Sequence, residues 1–229
     1  MNRKNLVRIC AVLCGISGVI VLLWVFFPIF AYEFTSPPLE TFISPIVETQ
    51  DTTNTSTISS TDYTKASSWF PGAKTNPESL KPSIAFYKIS IPRLNIRGAT
   101  VSIGGEDLAQ SLIQYPGTAL PGKIGNAVIF GHSVLPTFFD PTNYLTIFST
   151  LPQVANGDII TVDYNGITYK YQVEDKFEVT PSDIQVLDQD ESDSFLSLVT
   201  CVPPGLQTRR LIVKARIVPL READANIRY

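Results

Sequence analysis

The chain has 229 residues, a formal net charge of -3 and a sequence pI of about 5.2. That length allows one or two domains. The acidic balance supplies no basic surface for nucleic acid. Of the three cysteines two lie inside an apolar run, and one histidine with one cysteine is too few to furnish the three or four nitrogen and sulfur ligands of a metal centre, so no metal is expected.

The first element is a candidate membrane span. Residues 1–8 carry Arg3, Lys4 and Arg8, and residues 9–31 carry no charge. A run of about 23 apolar residues crosses a hydrocarbon core of about 30 Å. The basic flank predicts a retained signal anchor with a cytoplasmic N-terminus and everything after Ala31 outside the cell membrane. Cys10 and Cys14 fall inside this run, which leaves Cys201 as the one cysteine of the folded portion.

Residues 32–82 read as a linker. The stretch DTTNTSTISSTDYT lies between scattered prolines, and such a composition buries too little apolar surface to offset its ordering entropy. An extended, disordered tether is expected, with Asn54 in a glycosylation-type tripeptide.

Residues 83–219 read as a mainly β domain. The clearest strand is ITYKYQVEDKFEVT, where Ile167, Tyr169, Tyr171, Val173, Phe177 and Val179 alternate with polar residues and only Asp175 breaks the apolar face. Asn165-Gly166 ahead of it predicts a tight hairpin with DIITVDY. Further strands are expected at FYKISIP, IRGATVSI, NAVIFG, SFLSLVT and RRLIVKARIV, and short helices at EDLAQSLIQ and TNYLTIFSTL, the second capped by Thr142. Together they predict a closed β-barrel of about eight strands with short helices. Residues 220–229 form a tail without a readable motif.

Two single residues stand at strand ends. His132 follows NAVIFG, and Cys201 closes SFLSLVTC. A cysteine nucleophile needs a base or a positive charge beside it to act as a thiolate, and histidine supplies both that and a general acid. An arginine opening the next strand offers a permanent charge for a developing oxyanion. Of the pair Arg209-Arg210, alternation puts Arg209 with Leu211, Val213 and Ala215 toward the barrel interior, and Arg210 on the wetter face where a groove can lie.

These segments resemble the sortase family. SLVTCVPPGLQTRRLIV is similar to its Thr-Leu-x-Thr-Cys strand, loop and arginine, and YPGTALPGKIGNAVIFGHS to the segment that carries its histidine. The anchor, tether and chain order agree with that layout, and the family spacing also selects Arg210.

The resemblance implies a cysteine transpeptidase. Cys201 would attack the Thr carbonyl of a Leu-Pro-x-Thr-Gly-like sorting signal, His132 would move the proton, and Arg210 would stabilise the intermediate. Thr200 would shape the substrate groove. The acyl group would pass to an amine acceptor, on a peptidoglycan precursor or a pilin Lys, and the resemblance implies no cofactor.

Three departures stand out. Ser197 replaces the first Thr, Ser133 follows the histidine where many members have Arg, and no Asp-Pro-aromatic lid precedes the core. The alternatives are a membrane-tethered β-barrel that only binds, and an L,D-transpeptidase-like cell-wall enzyme. The latter places His-Gly directly before its cysteine, whereas Val199-Thr200 stand there in this chain.

Overall fold

A computed structural model describes residues 3–39, 64–71 and 85–219. The chain divides into two units, Met1–Ser36 and Pro37–Tyr229. The first is helix α1, Arg3–Thr35. Within it Val7–Thr35 is long and apolar enough to cross a membrane. The expected tail, residues 220–229, and Asn54 lie outside the described residues.

The second unit is a closed barrel of eight strands: β1 (Phe86–Ile91), β2 (Ile96–Ile103), β3 (Leu112–Gln114), β4 (Gly125–Phe130), β5 (Ile159–Tyr164), β6 (Ile167–Val179), β7 (Ser194–Val202) and β8 (Arg209–Val218). Its order is β1-β2-β3-β4-β7-β8-β6-β5, with β5 closing on β1. Closure gives each of the eight strands a paired neighbour on both sides. The β5–β6 hairpin turns at Asn165 and Gly166, with φ of 52° and 75°, the double positive φ that a type I′ turn requires.

Both expected helices are absent. In EDLAQSLIQ, Asp107 accepts from the Ala109 N–H at 2.9 Å and from the Gln110 side chain at 2.6 Å, which bends the chain. Leu112–Gln114 then forms β3, parallel to β2 and antiparallel to β4. In TNYLTIFSTL the side chains again capture backbone donors that a helix would use. Asp140 accepts from the N–H and hydroxyl of Thr142, and Asn143 accepts from the Leu145 N–H. Thr142 therefore caps nothing; successive turns with i to i+3 bonds lead into a short 3-10 turn, Leu151–Gln153.

Asp175, the break in the alternating pattern of β6, marks a β-bulge between Val173 and Asp175. Tyr171 and Val173 pair with Ile217 and Ala215, while Phe177 and Val179 pair with Ile212 and Arg210. The extra residue thus sends Phe177 and Val179 to the opposite face from Tyr171 and Val173.

The strand β7 is buried at all nine positions. Leu196, Leu198 and Thr200 face the barrel interior. Val199 and Cys201 belong instead to a second core on the outside of the barrel, with Val128, Phe130, Ile212, Trp69, Phe70 and Val186. An apolar surface on both faces of β7 is what turns its pattern into a continuous apolar run.

Candidate active site

The pairing of β4 with β7 is parallel, with Phe130 opposite Val199. Parallel strands end at the same side of a sheet, so the residues just past β4 and at the end of β7 come together although 69 positions separate His132 from Cys201. Two hydroxyls fasten that junction. Thr200 Oγ1 donates to the Gly131 carbonyl at 2.7 Å, and Ser133 Oγ donates to the Cys201 carbonyl at 2.6 Å. On the other side of the His132 loop, the Phe148 N–H donates to the His132 carbonyl at 2.9 Å and the Val134 N–H to Ser149 Oγ at 2.9 Å. A Cβ on Gly131 would stand 2.5 Å from Phe148 and 2.6 Å from Leu112, so only glycine lets the chain pass between them.

On the other flank of β7, Cys201 is directly opposite Arg210 of β8. Direct cross-strand partners share one face of a sheet with their Cβ atoms about 5 Å apart. The guanidinium is anchored by its own loop, with Nη1 donating to the carbonyls of Gln207 at 3.0 Å and Arg209 at 3.2 Å. Arg209 points the other way, as alternation requires, and its Nη1 lies 2.9 Å from the carboxylate of fully buried Glu178.

The face shared by Cys201 and Arg210 is not wet, contrary to the sequence expectation: Arg210 is wholly buried and Cys201 is 4% exposed. The cover is residues 64–71, from the stretch expected to be a free tether. Trp69 stacks on Phe130 at 5.3 Å, touches the His132 ring at 5.8 Å and takes the Arg210 guanidinium over its indole at 5.4 Å. Its carbonyl also accepts from Arg210 Nη2 at 3.2 Å. Phe70 packs against Phe130 beside it. The segment is pinned by the Ala66 N–H donating to the Glu106 carbonyl at 3.1 Å and the Leu108 N–H donating to the Thr64 carbonyl at 3.0 Å.

Burial pushes the Cys201 thiol above its ordinary pKa, and the positive charge of Arg210 partly offsets this by favouring the thiolate. Thr200 lies on the opposite face of β7 from Cys201 and is fully buried, so its side chain does not line a groove in this structure. Among the described residues no three His, Cys, Asp or Glu side chains cluster in a way that could hold a metal ion.

His132 and Arg210 thus meet one indole, and Cys201 lies in the same buried cluster as that indole. Trp69 and Ser149 escaped the sequence reading, and Ser133 was noted there only as a departure from the family pattern. The signal for Trp69 was an aromatic pair, Trp69-Phe70, inside an otherwise Ser/Thr/Pro-rich stretch. Single serines carry no such signal.

Residues 89–218 match the family model for a sortase domain. The fold is similar to sortase D5 of Clostridium perfringens, at 25% identity over 62% of this chain and 84% of that one, with a TM-score of 0.52. It is similar to sortase C-1 of Actinomyces oris, at 28% identity over 60% and 76%, TM-score 0.53. It is also similar to a lid mutant of sortase A from Corynebacterium diphtheriae, at 29% identity over 69% and 89%, TM-score 0.54. No curated protein sequence matches the chain.

Proposed function

The chain belongs to the sortase family, and from that premise we propose that it is a membrane-anchored cysteine transpeptidase with Cys201 as nucleophile, His132 as acid and base, and Arg210 as the oxyanion partner. The observation that carries this reading is the Cys201–Arg210 cross-strand pair beside the His132 loop. The Cys201 thiolate attacks the Thr carbonyl of a Leu-Pro-x-Thr-Gly-like donor, and Arg210 faces the oxygen that gains charge. The Thr–Gly bond breaks as His132 gives its proton to the departing amine. An amine acceptor, on a peptidoglycan precursor or a pilin Lys, then loses a proton to His132 and displaces the thiol from the thioester. No step calls for a cofactor.

The role of Thr200 is to hold the His132 loop, through its bond to the Gly131 carbonyl, rather than to bind substrate. The segment 64–71 has to move before a peptide reaches Cys201, because Trp69 occupies the space over His132 and Arg210. A lid is likewise a feature of the C. diphtheriae relative. In this chain the role falls to Trp69, without the Asp-Pro-aromatic sequence. Helix α1 anchors the enzyme, and Arg3, Lys4 and Arg8 at its start keep that end cytoplasmic and the barrel outside.

The test is to incubate the purified chain with a Leu-Pro-x-Thr-Gly peptide library and candidate amines and to identify products by mass spectrometry. Amide products joining Leu-Pro-x-Thr to the amine, lost in Cys201→Ala, support the reading. If Cys201 is labelled by thiol reagents only after unfolding and no product forms, the barrel is a binding module.

A further inference from the structure

The ladder between β4 and β7 ends in an unusual way. The Gly131 N–H donates to the Val199 carbonyl at 3.1 Å, the last backbone rung. In a parallel ladder every second residue repeats that bond, so the next rung would join the N–H of residue 133 to the carbonyl of residue 201. The chain turns away instead: the Val134 N–H is taken by Ser149 at 2.9 Å. The hydroxyl of Ser133 fills the missing place, 2.6 Å from the Cys201 carbonyl. A side chain thus completes the ladder at the one residue of β7 that bears the thiol, and it comes from the neighbour of the histidine.

We propose that Ser133 is a positioning residue for the transfer reaction, its hydroxyl holding the Cys201 peptide in register with the His132 loop and with Arg210. This rests on the reading of Cys201 as nucleophile. The bond links the two halves of the site directly, since Ser133 is covalently next to His132 and its acceptor belongs to Cys201 itself. With it removed, β7 is still held by Thr200 and by its pairing to β8. The fold therefore persists while the last residue of the strand gains freedom. A displacement of about 1 Å at a reacting group costs up to about a hundredfold in rate.

The experiment uses the full-length chain in detergent with Ser133→Ala, Ser133→Thr and Cys201→Ala. The first readout is turnover of a Leu-Pro-x-Thr-Gly peptide library. The second is the pH profile of iodoacetamide alkylation at Cys201, followed by mass spectrometry so that Cys10 and Cys14 do not interfere. Ser133→Ala is expected to lower kcat roughly tenfold with KM changed less than about twofold, the pattern of a lost transition-state alignment. Its alkylation midpoint is expected to move up, because a looser Cys201 gains less from Arg210. Ser133→Thr, which keeps the hydroxyl, is expected to return both values to near those of the parent.

Parent kcat and an unmoved midpoint in Ser133→Ala, with Cys201→Ala inactive, overturn the positioning role alone. Losses in Ser133→Ala that Ser133→Thr does not repair overturn it as well, since they place the effect outside the hydroxyl. Turnover that survives in Cys201→Ala overturns the reading of the site itself. The alkylation profile needs no donor peptide, so it decides the matter even where no library member is turned over.

Discussion

Cys201 and Arg210 stand directly opposite each other on β7 and β8, with the Arg210 guanidinium against the indole of Trp69 and Cys201 in the same buried cluster. A thiol beside a fixed guanidinium is biased toward its reactive form, while the apolar cover pushes the other way. The balance between these two effects makes the site's reactivity responsive to whatever moves the cover.

The two arginines of the pair should separate cleanly. Arg210→Ala is expected to reduce acyl transfer by about a hundredfold or more, in the range of losing one oxyanion donor. Arg209→Ala leaves the carboxylate of Glu178 buried without its 2.9 Å partner. The expected cost is about 2 kcal/mol of stability, read as a lowered thermal midpoint, with turnover retained by the folded fraction. An inactive, stable Arg209→Ala beside an active Arg210→Ala would reverse the assignment.

Removing the cover should activate the thiol. Trp69→Ala lowers the desolvation of Cys201, the larger of the two influences on its pKa, while leaving Arg210 in place. Alkylation of Cys201 at neutral pH is expected to rise about tenfold or more. An unchanged rate would mean that residues 64–71 do not control access.

The pH dependence follows from the same two causes. Burial raises the Cys201 pKa, so in the parent chain the alkylation rate should climb through a midpoint above that of an ordinary cysteine. Trp69→Ala moves the midpoint down by relieving burial. Arg210→Ala moves it up, because the charge that favours the thiolate is gone. Midpoints that shift in the opposite sense would contradict the assigned causes.

Gly131→Ala tests the packing that aims the His132 loop. The new methyl meets Phe148 at 2.5 Å and Leu112 at 2.6 Å, both core side chains with no open space to enter. Overpacking of this kind costs about 1–3 kcal/mol, and here it also displaces His132. Lower stability together with a disproportionate loss of turnover is expected from thermal melts and peptide assays.

Much of this arrangement was legible in the chain. The alternation of β6, the Asn165-Gly166 turn and the apolar runs of β4 and β7 announce themselves because each follows a local rule of period or turn chemistry. The opposite directions of Arg209 and Arg210 came from the same period of two. What alternation could not reveal was which face would be covered. Trp69 reaches the site from more than sixty residues before His132, and its burial depends on contacts that no local window contains.

The absent helices have a related cause: Asp107, Asp140 and Asn143 spend their side chains on nearby backbone donors, a competition that hydrophobic periodicity does not register. The one strand that went unpredicted, β3, was hidden for a different reason. Leu112–Gln114 has three residues, too few to display a period, and it is a strand because β2 and β4 hold it on either side.

The central claim, that Cys201 forms a thioester with the donor, is tested most directly by intact-protein mass spectrometry. The full-length chain is mixed with a Leu-Pro-x-Thr-Gly peptide library in the absence of an acceptor amine and quenched in acid. The account predicts an adduct of the Leu-Pro-x-Thr acyl group on the Cys201 peptide, absent from Cys201→Ala, strongly reduced in His132→Ala and increased in Trp69→Ala. Transfer products formed equally by Cys201→Ala, or no adduct even in Trp69→Ala, would contradict it.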